Sequence, residues 1–232
     1  MNVLRCARLE VPVDVAALQH DVAALPDWWS PHFQRAHHDG GWTVLPLRSI
    51  AGNVDEALPF ALGAQPAQYR ATALLAQCPA IARFIDSLGC PVMSARLLSL
   101  RRGSAIKPHR DADLAFEFGE ARLHVPVFTN AGVEFVIDDE PVAMEQGTCW
   151  YINANLTHRV ANRGDADRIH LVVDCVVDDG LRERFARAEC AYSTVRRDPQ
   201  QTRQMIDLLR AMNTPTSLAL IARLEAESSD AT

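Results

Sequence analysis

The fold turns on residues 104–174, where SAIKPHRDADLAFEFGEARLHVPVFTNAGVEF (104–135) and GTCWYINANLTHRVANRGDADRIHLVVD (147–174) alternate short apolar runs with turn residues. The pattern extends outward to Val92 and Val177. SARLLSLRRG, SAIKPHRD, ARLHVPVFTN, VEFVIDD, VAMEQGTCWYIN, LTHRVANRG and DRIHLVVDCVV read as about seven strands. Turns fall at Asn130–Gly132, Asp138–Pro141, Glu145–Gly147 and Asn162–Asp165. Spacing this even predicts an antiparallel sandwich or barrel.

The same stretch carries the chemistry. His109 and Asp111 stand two apart, so on a strand both side chains leave one face. His158 follows Asp111 by 47 residues. Two imidazoles and one carboxylate are the composition of the facial triad that holds non-heme Fe(II) with positions left open. Singly, each residue has a plainer explanation: an Asp capping a turn, a satisfied core His, an Arg paired with an acid. Together they are more specific. Arg122 and His124 share one strand face, as do Arg168 and His170, on strands that are otherwise apolar. A buried charge without a partner is costly, so these side chains should surround something anionic. A dicarboxylate beside a divalent cation meets that need, because the arginine fork offers a carboxylate two parallel hydrogen bonds. The tripeptide His109-Arg110-Asp111 also occurs in protein-kinase catalytic loops, but Phe116 stands where that reading needs Asn, and no Gly-rich loop or DFG accompanies it.

Upstream, residues 14–25 have helical apolar spacing and end before Pro26. DWWSPHFQRAHHDGG (27–41) contains His32, His37 and His38, yet the histidine pair beside Asp39, Gly40 and Gly41 reads more simply as a turn than as a second metal site. WTVLPLRS (42–49) reads as an edge strand, since Pro46 cannot donate to a ladder. Residues 49–70 are long and patternless, and part of them is expected to close over the substrate. Pro79 opens a helix that Gly89 ends. Downstream of Val177, GLRERFARAECAY (180–192), PQQTRQMIDLLRAMN (199–213) and PTSLALIARLEAES (215–228) read as helices. The last two carry apolar stripes that pack either on the barrel or on a second copy of the chain, as a homodimer.

The 232 residues, 48% of them hydrophobic, suit one domain: a β core over about 92–177, an extension over 1–91 and C-terminal helices over 178–232. A formal charge of −6, with Lys107 the one lysine and no basic run, argues against nucleic acid or an anionic membrane as partner. No run approaches the roughly 18 apolar residues of a membrane helix. The start lacks a secretory core, and the six cysteines show no CxxC spacing, so a reduced, cytoplasmic chain is expected.

RLLSLRRGSAIKPHRDADLAFEFGEARLHVPVFTNAGVEF (96–135), followed by the stretch 147–174, resembles the aspartyl/asparaginyl β-hydroxylase family of Fe(II)- and 2-oxoglutarate-dependent oxygenases, and especially its bacterial cis-4-proline hydroxylases. The motifs that carry the resemblance are PHRD, the RxH of the next strand and RIHLVVD, within about 85 of the 232 residues. The resemblance implies a mainly β fold, a double-stranded β-helix (a jelly-roll, cupin-like barrel) with N- and C-terminal helices. It implies His109, Asp111 and His158 as iron ligands. Arg168 would hold the distal carboxylate of 2-oxoglutarate, with Arg122 and His124 at the cosubstrate's other end. Arg48 and His170 are the candidates for substrate contact. With O2, the implied reaction hydroxylates an aliphatic C–H bond and releases succinate and carbon dioxide. Animal aspartyl hydroxylases of this family put a small residue where Asp111 stands. This chain is therefore nearer the amino-acid hydroxylases, and its substrate is open among an amino acid, a derivative and a peptide side chain. Asp111 also disfavours a halogenase, which needs that coordination position for chloride. The alternatives are a cupin-type metal enzyme without 2-oxoglutarate and a non-enzymatic barrel that binds a small anion. Succinate release separates the first reading from both.

Overall fold

The computed structural model describes residues 2–54, 65–112, 114–195, 199–212, 214, 217–218, 220–222 and 225. They fall into two compact units, Leu4–Ala191 and Met1–Val3 with Tyr192–Thr232. In chain order the elements are β1 (Asn2–Leu9), α1 (Val15–Ala24), β2 (Ser30–Pro31), β3 (Trp42–Ile50), β4 (Tyr69–Ala71), α2 (Pro79–Ser87), β5 (Val92–Leu100), β6 (Ala105–His109), β7 (Glu120–Phe128) and β8 (Val133–Ile137). They continue as β9 (Glu140–Pro141), β10 (Cys149–Ile152), β11 (His158–Asn162), β12 (Arg168–Val176), α3 (Asp179–Arg187), β13 (Glu189–Thr194) and α4 (Pro199–Met212).

Local chemistry sets the helix ends. The Asp14 side chain accepts from the Ala17 N–H at 3.1 Å and so caps α1, which stops at Leu25 because Pro26 cannot continue it. Pro79 occupies the first turn of α2, where its missing N–H costs nothing, and Gly89 follows its end at φ +69°. Buried Asp21 ties the two helices together by accepting from the Ala80 and Ile81 N–H groups at 2.7 and 2.9 Å.

In the larger unit one sheet runs β1-β10-β7-β12-β5-β3-β2, with β4 also on β3, and a second runs β6-β11-β8-β9. From β5 to β12 the chain passes back and forth between them: β5, β7, β10 and β12 lie in the first and β6, β8, β9 and β11 in the second. That arrangement is a double-stranded β-helix, the fold the sequence implied. Strand parity then sorts the side chains. Ala95, Leu97, Ala121, Leu123, Val125, Leu171, Val173 and Cys175 join the apolar core with Leu18, Ile81, Phe84, Leu181 and Phe185 of the helices. Their neighbours Arg96, Arg122, His124, Arg168 and His170 are buried as well, but on the opposite face. Polar residues in the strand pattern thus mark the face between the sheets.

Several expectations need correction. β3 is not an edge strand: it pairs with β5 along one side and with β2 and β4 along the other. Pro46 is tolerated because it sits at a register shift, between the residues that pair with β2 and those that pair with β4. The helix begun at Asp179 ends at Arg187, and Glu189–Thr194 is a strand. The N-terminal strand β1 was not anticipated. Of the expected cover over 49–70, residues 55–64 lie outside the described residues, and the remainder ends β3 and forms β4. In the C-terminal unit Ile206 and Ile221 bury against each other with Leu209, while Leu208, Met212, Leu218 and Leu220 are exposed. Among the described residues no helix is long and apolar enough to cross a membrane.

Candidate active site

His158 and His109 are Cα partners on antiparallel β11 and β6, so their imidazoles leave adjacent strands on one face. Their ring centroids are 4.2 Å apart. Asp111 lies just beyond β6, held by its N–H donating to the Ala154 carbonyl at 2.9 Å. One ligand atom from each of the three residues falls within 4.8 Å of the others, and among the described residues this is the one such cluster of His, Cys, Asp and Glu.

The donor set suits a divalent cation. His109 Nδ1 is 2.8 Å from the Lys107 carbonyl and His158 Nδ1 is 3.0 Å from the Leu156 carbonyl. A carbonyl only accepts, so each ring carries its proton on Nδ1 and leaves the Nε2 lone pair for a metal. Burial favours the neutral imidazole in both, pushing His109 below its ordinary pKa and His158 down to about 4. Asp111 accepts from Gln34 Nε2 at 3.0 Å on one carboxylate oxygen and from Arg122 on the other. A carboxylate has about four lone-pair positions, so capacity for a metal bond remains. Burial would raise the Asp111 pKa, but Arg122, with His158 and Gln34, holds it well below the usual carboxylate range.

Between the sheets a narrow cavity joins this triad to the buried polar face of the larger sheet. Its walls include Trp42, Leu98, Ile106, Phe135 and Val160 as well as Arg122, His124 and Arg168. Two kinds of arginine face it. Arg122 donates Nε to Asp174 Oδ1 at 2.7 Å and Nη2 to Oδ2 at 3.1 Å, besides its bond to Asp111. Arg96 adds Nη1 to Asp174 Oδ2 at 2.8 Å. Burial opposes the charge on Arg122, but the two carboxylates more than offset it and its pKa rises. Arg168 differs. It is 1% exposed, its guanidinium has no ion pair among the described residues, Nη2 donates to His170 Nδ1 at 2.7 Å, and Nε has no partner. Burial alone pushes its pKa down to about 9.

The structure therefore gathers His109, Asp111, His158, Arg122, His124 and Arg168 around one cavity. It places Arg48 elsewhere, donating Nε to the Val92 carbonyl at 3.1 Å beside a separate groove that includes Asp86 and Cys90. His170 touches Arg168 and His124 but lines a different cavity, with Thr129, Asn130 and Met144. Sequence reasoning missed Asp174 and Arg96, although Asp174 shares the strand parity of Arg168 and His170. It also missed Gln34, His32 and Trp42, where His32 stacks on Trp42 with ring centroids 3.4 Å apart. Of the stretch 27–41, His32, Phe33 and Gln34 line the cavity.

The model of the Aspartyl/Asparaginyl beta-hydroxylase family matches residues 11–177, a span that holds the whole triad and every strand from β2 to β12. The chain belongs to that family. It is an oxidoreductase, a hydroxylase of the class that uses Fe(II), 2-oxoglutarate and O2. L-proline cis-4-hydroxylase of Rhizobium meliloti (strain 1021) is 28% identical over 203 residues, covering 85% of this chain and 67% of the relative. L-proline cis-3-hydroxylase 1 of a Streptomyces species is 29% identical over 156 residues, covering 65% and 52%. The chain thus spans about two thirds of the length of the first and about half of the second. A solved oxidoreductase of the 2OG-Fe(II) oxygenase family from Burkholderia pseudomallei overlaps 74% of this chain and 81% of its own, at 17% identity and a TM-score of 0.47.

Proposed function

We propose that this hydroxylase acts on an aliphatic C–H bond of a free amino acid or a close derivative, with His109, Asp111 and His158 holding Fe(II) and Arg168 holding the distal carboxylate of 2-oxoglutarate. Arg168 is the observation that carries the reading. A guanidinium desolvated to 1% exposure, without a counter-charge among the described residues, costs several kcal/mol unless an anion arrives, and a carboxylate accepts its fork in two bonds. Fe(II) supplies the redox chemistry that couples decarboxylation of 2-oxoglutarate, to succinate and carbon dioxide, to insertion of oxygen into a C–H bond. The chain's own residues position the partners. His109 and His158 are fixed through their Nδ1 protons, Asp111 by Gln34 and Arg122, and Arg122 in turn by Asp174. Phe135, Leu98 and Ile106 keep the walls apolar, which excludes water and strengthens each polar contact inside. The substrate class is supported by the proline hydroxylases among its relatives, and L-proline heads the panel to be assayed for succinate release.

The free thiols, most of them buried, suit the cytoplasm. The exposed Leu208, Met212, Leu218 and Leu220 suit a homodimer through the C-terminal helices, which sedimentation at two concentrations tests.

The deciding experiment is calorimetric titration of 2-oxoglutarate into anaerobic, metal-loaded wild type and Arg168→Ala. Affinity is expected to fall about 30- to 1000-fold, the equivalent of roughly 2 to 4 kcal/mol for a charge-assisted contact in a dry site. Unchanged affinity in a folded, metal-replete variant would remove Arg168 from the cosubstrate site.

A further inference from the structure

Arg168, His170 and His124 form a buried hydrogen-bonded chain whose donors and acceptors can be counted. Arg168 Nη2 lies 2.7 Å from His170 Nδ1. A guanidinium only donates, so His170 Nδ1 accepts and that ring carries its proton on Nε2. His124 Nδ1 lies 3.3 Å from the same atom. Because His170 Nδ1 is an acceptor, His124 Nδ1 must be the donor. The other assignments set two lone pairs face to face, or an N–H against the guanidinium. His124 is therefore left with a bare lone pair on Nε2, an atom with no partner, on a residue 4% exposed that lines the active cavity. The remaining N–H of His170 has no partner either, and His170 lines the separate cavity of about 280 Å³.

A neutral His124 thus presents an acceptor where the cosubstrate would place a carboxylate, which is also an acceptor. Two lone pairs cannot share that contact. The groups facing His124 are Arg168 and His170 of β12, Arg122 of β7, Arg96 of β5 and Asp174 of β12. Burial and the three arginines keep the ring neutral, with Asp174 opposing them, and His170 is held neutral by burial and Arg168. A dianion seated at Arg168 offsets the arginine field that depresses the His124 pKa.

On the reading that 2-oxoglutarate binds at Arg168, we propose that its binding takes up one proton from solvent onto His124 Nε2, and that His170 is the positioning residue that makes this necessary. The imidazolium then donates Nε2–H to a cosubstrate carboxylate and Nδ1–H to His170. The proton leaves a buffer acid and forms an N–H bond at His124 Nε2, and no other covalent bond changes. The sign follows from linkage. The cosubstrate raises a depressed histidine pKa, so affinity is highest at low pH and falls as pH rises, by about tenfold per unit while the complex stays protonated and the free site does not. Both carboxyl groups of 2-oxoglutarate are carboxylic acids that ionise well below pH 6, so they are charged throughout the pH range 6 to 8 and contribute nothing there.

The experiment titrates 2-oxoglutarate into the Mn(II)-loaded 232-residue chain without oxygen, between pH 6 and 8, in buffers of different ionisation enthalpy. The expected result is uptake of about one proton and a dissociation constant that rises up to about tenfold per pH unit. His124→Gln, checked for melting temperature and metal content, should bind with no proton uptake and a flat profile. In Zn(II)-loaded wild type, the ring ¹⁵N shifts of His124 should move from the neutral Nδ1–H form to the imidazolium when 2-oxoglutarate is added, which decides the matter even if the variant does not fold. Binding without proton exchange, or uptake that persists in His124→Gln, overturns the proposal and leaves the Arg168 reading standing. Failure of wild type to bind 2-oxoglutarate at all overturns that reading and the coupling with it.

Discussion

Arg122 and Arg168 stand on neighbouring strands of one sheet, both buried and both facing one cavity, yet the chain treats them in opposite ways. Around Arg122 every charge is answered: Asp174 bridges Arg122 and Arg96, and Arg122 reaches on to Asp111. Around Arg168 the chain supplies a neutral imidazole and the face of Phe135, with the guanidinium carbon 5.9 Å from the ring centroid. A buried charge matched by the fold belongs to the architecture. One left unmatched is matched by what binds.

Substitutions can break or sharpen this contrast. The largest loss of stability is expected from Asp174→Asn, which takes the ion-pair partner from buried Arg96 and leaves Arg122 with Asp111 alone: about 3 to 5 kcal/mol, read by urea denaturation. Burial works to raise the Asp174 pKa, but Arg122 and Arg96 hold it below the usual carboxylate range. Its stabilising effect is therefore present above the ordinary carboxylate pKa and is lost as pH falls below it, so wild type should lose stability in acid more steeply than the variant. Arg168→Met should act in the opposite sense. Replacing an unmatched charge by an apolar chain of similar volume is expected to stabilise the protein without 2-oxoglutarate by about 1 to 3 kcal/mol. Saturating 2-oxoglutarate should raise the melting temperature of metal-loaded wild type and leave that of Arg168→Met in place. A marked loss of stability in Arg168→Met would place Arg168 with Arg122, among the charges the fold needs. The smallest effect marks the baseline: Arg8 and Glu145 form a 3.4 Å pair with side chains 46% and 69% exposed, and Glu145→Ala should change stability by about 1 kcal/mol or less.

Most of the strands from β5 to β12 were legible as short runs rich in apolar residues that end in turn chemistry, down to the hairpin at Asp138 and Asp139, which adopt φ +51° and +61°. The triad was legible as well. His109 and Asp111 stand two apart in sequence and come to one site, although Asp111 lies just past the end of β6 and is held by the Ala154 carbonyl. What stayed hidden depends on partners distant in sequence. Asp174 reads as one more acid until β12 lies between β5 and β7 and brings Arg96 and Arg122 to it. Gln34 approaches Asp111 across 77 positions of chain, with no local pattern to announce it. Pro46 misled because a proline argues for an edge strand, whereas two short partners leave a gap where its missing donor is not needed. Arg48 was singled out by its residue type alone, and it lines a different groove.

The pairing of His109 with His158 across adjacent strands also bears on how the smaller sheet stays closed. Those residues lie 49 positions apart, and the pairing register shifts just beyond them, between His158 and Val160. If both imidazoles hold one ion, as proposed, the ion is a crosslink as well as a reagent. Tying a loop of that length removes chain entropy from the opened state worth about 4 kcal/mol in the loop-closure picture. A slip of one residue in β11 would turn His158 to the other face and break the tie. The ion would then act as a proofreader of strand register, and an enzyme that has lost it would fray first where its substrate has to be held.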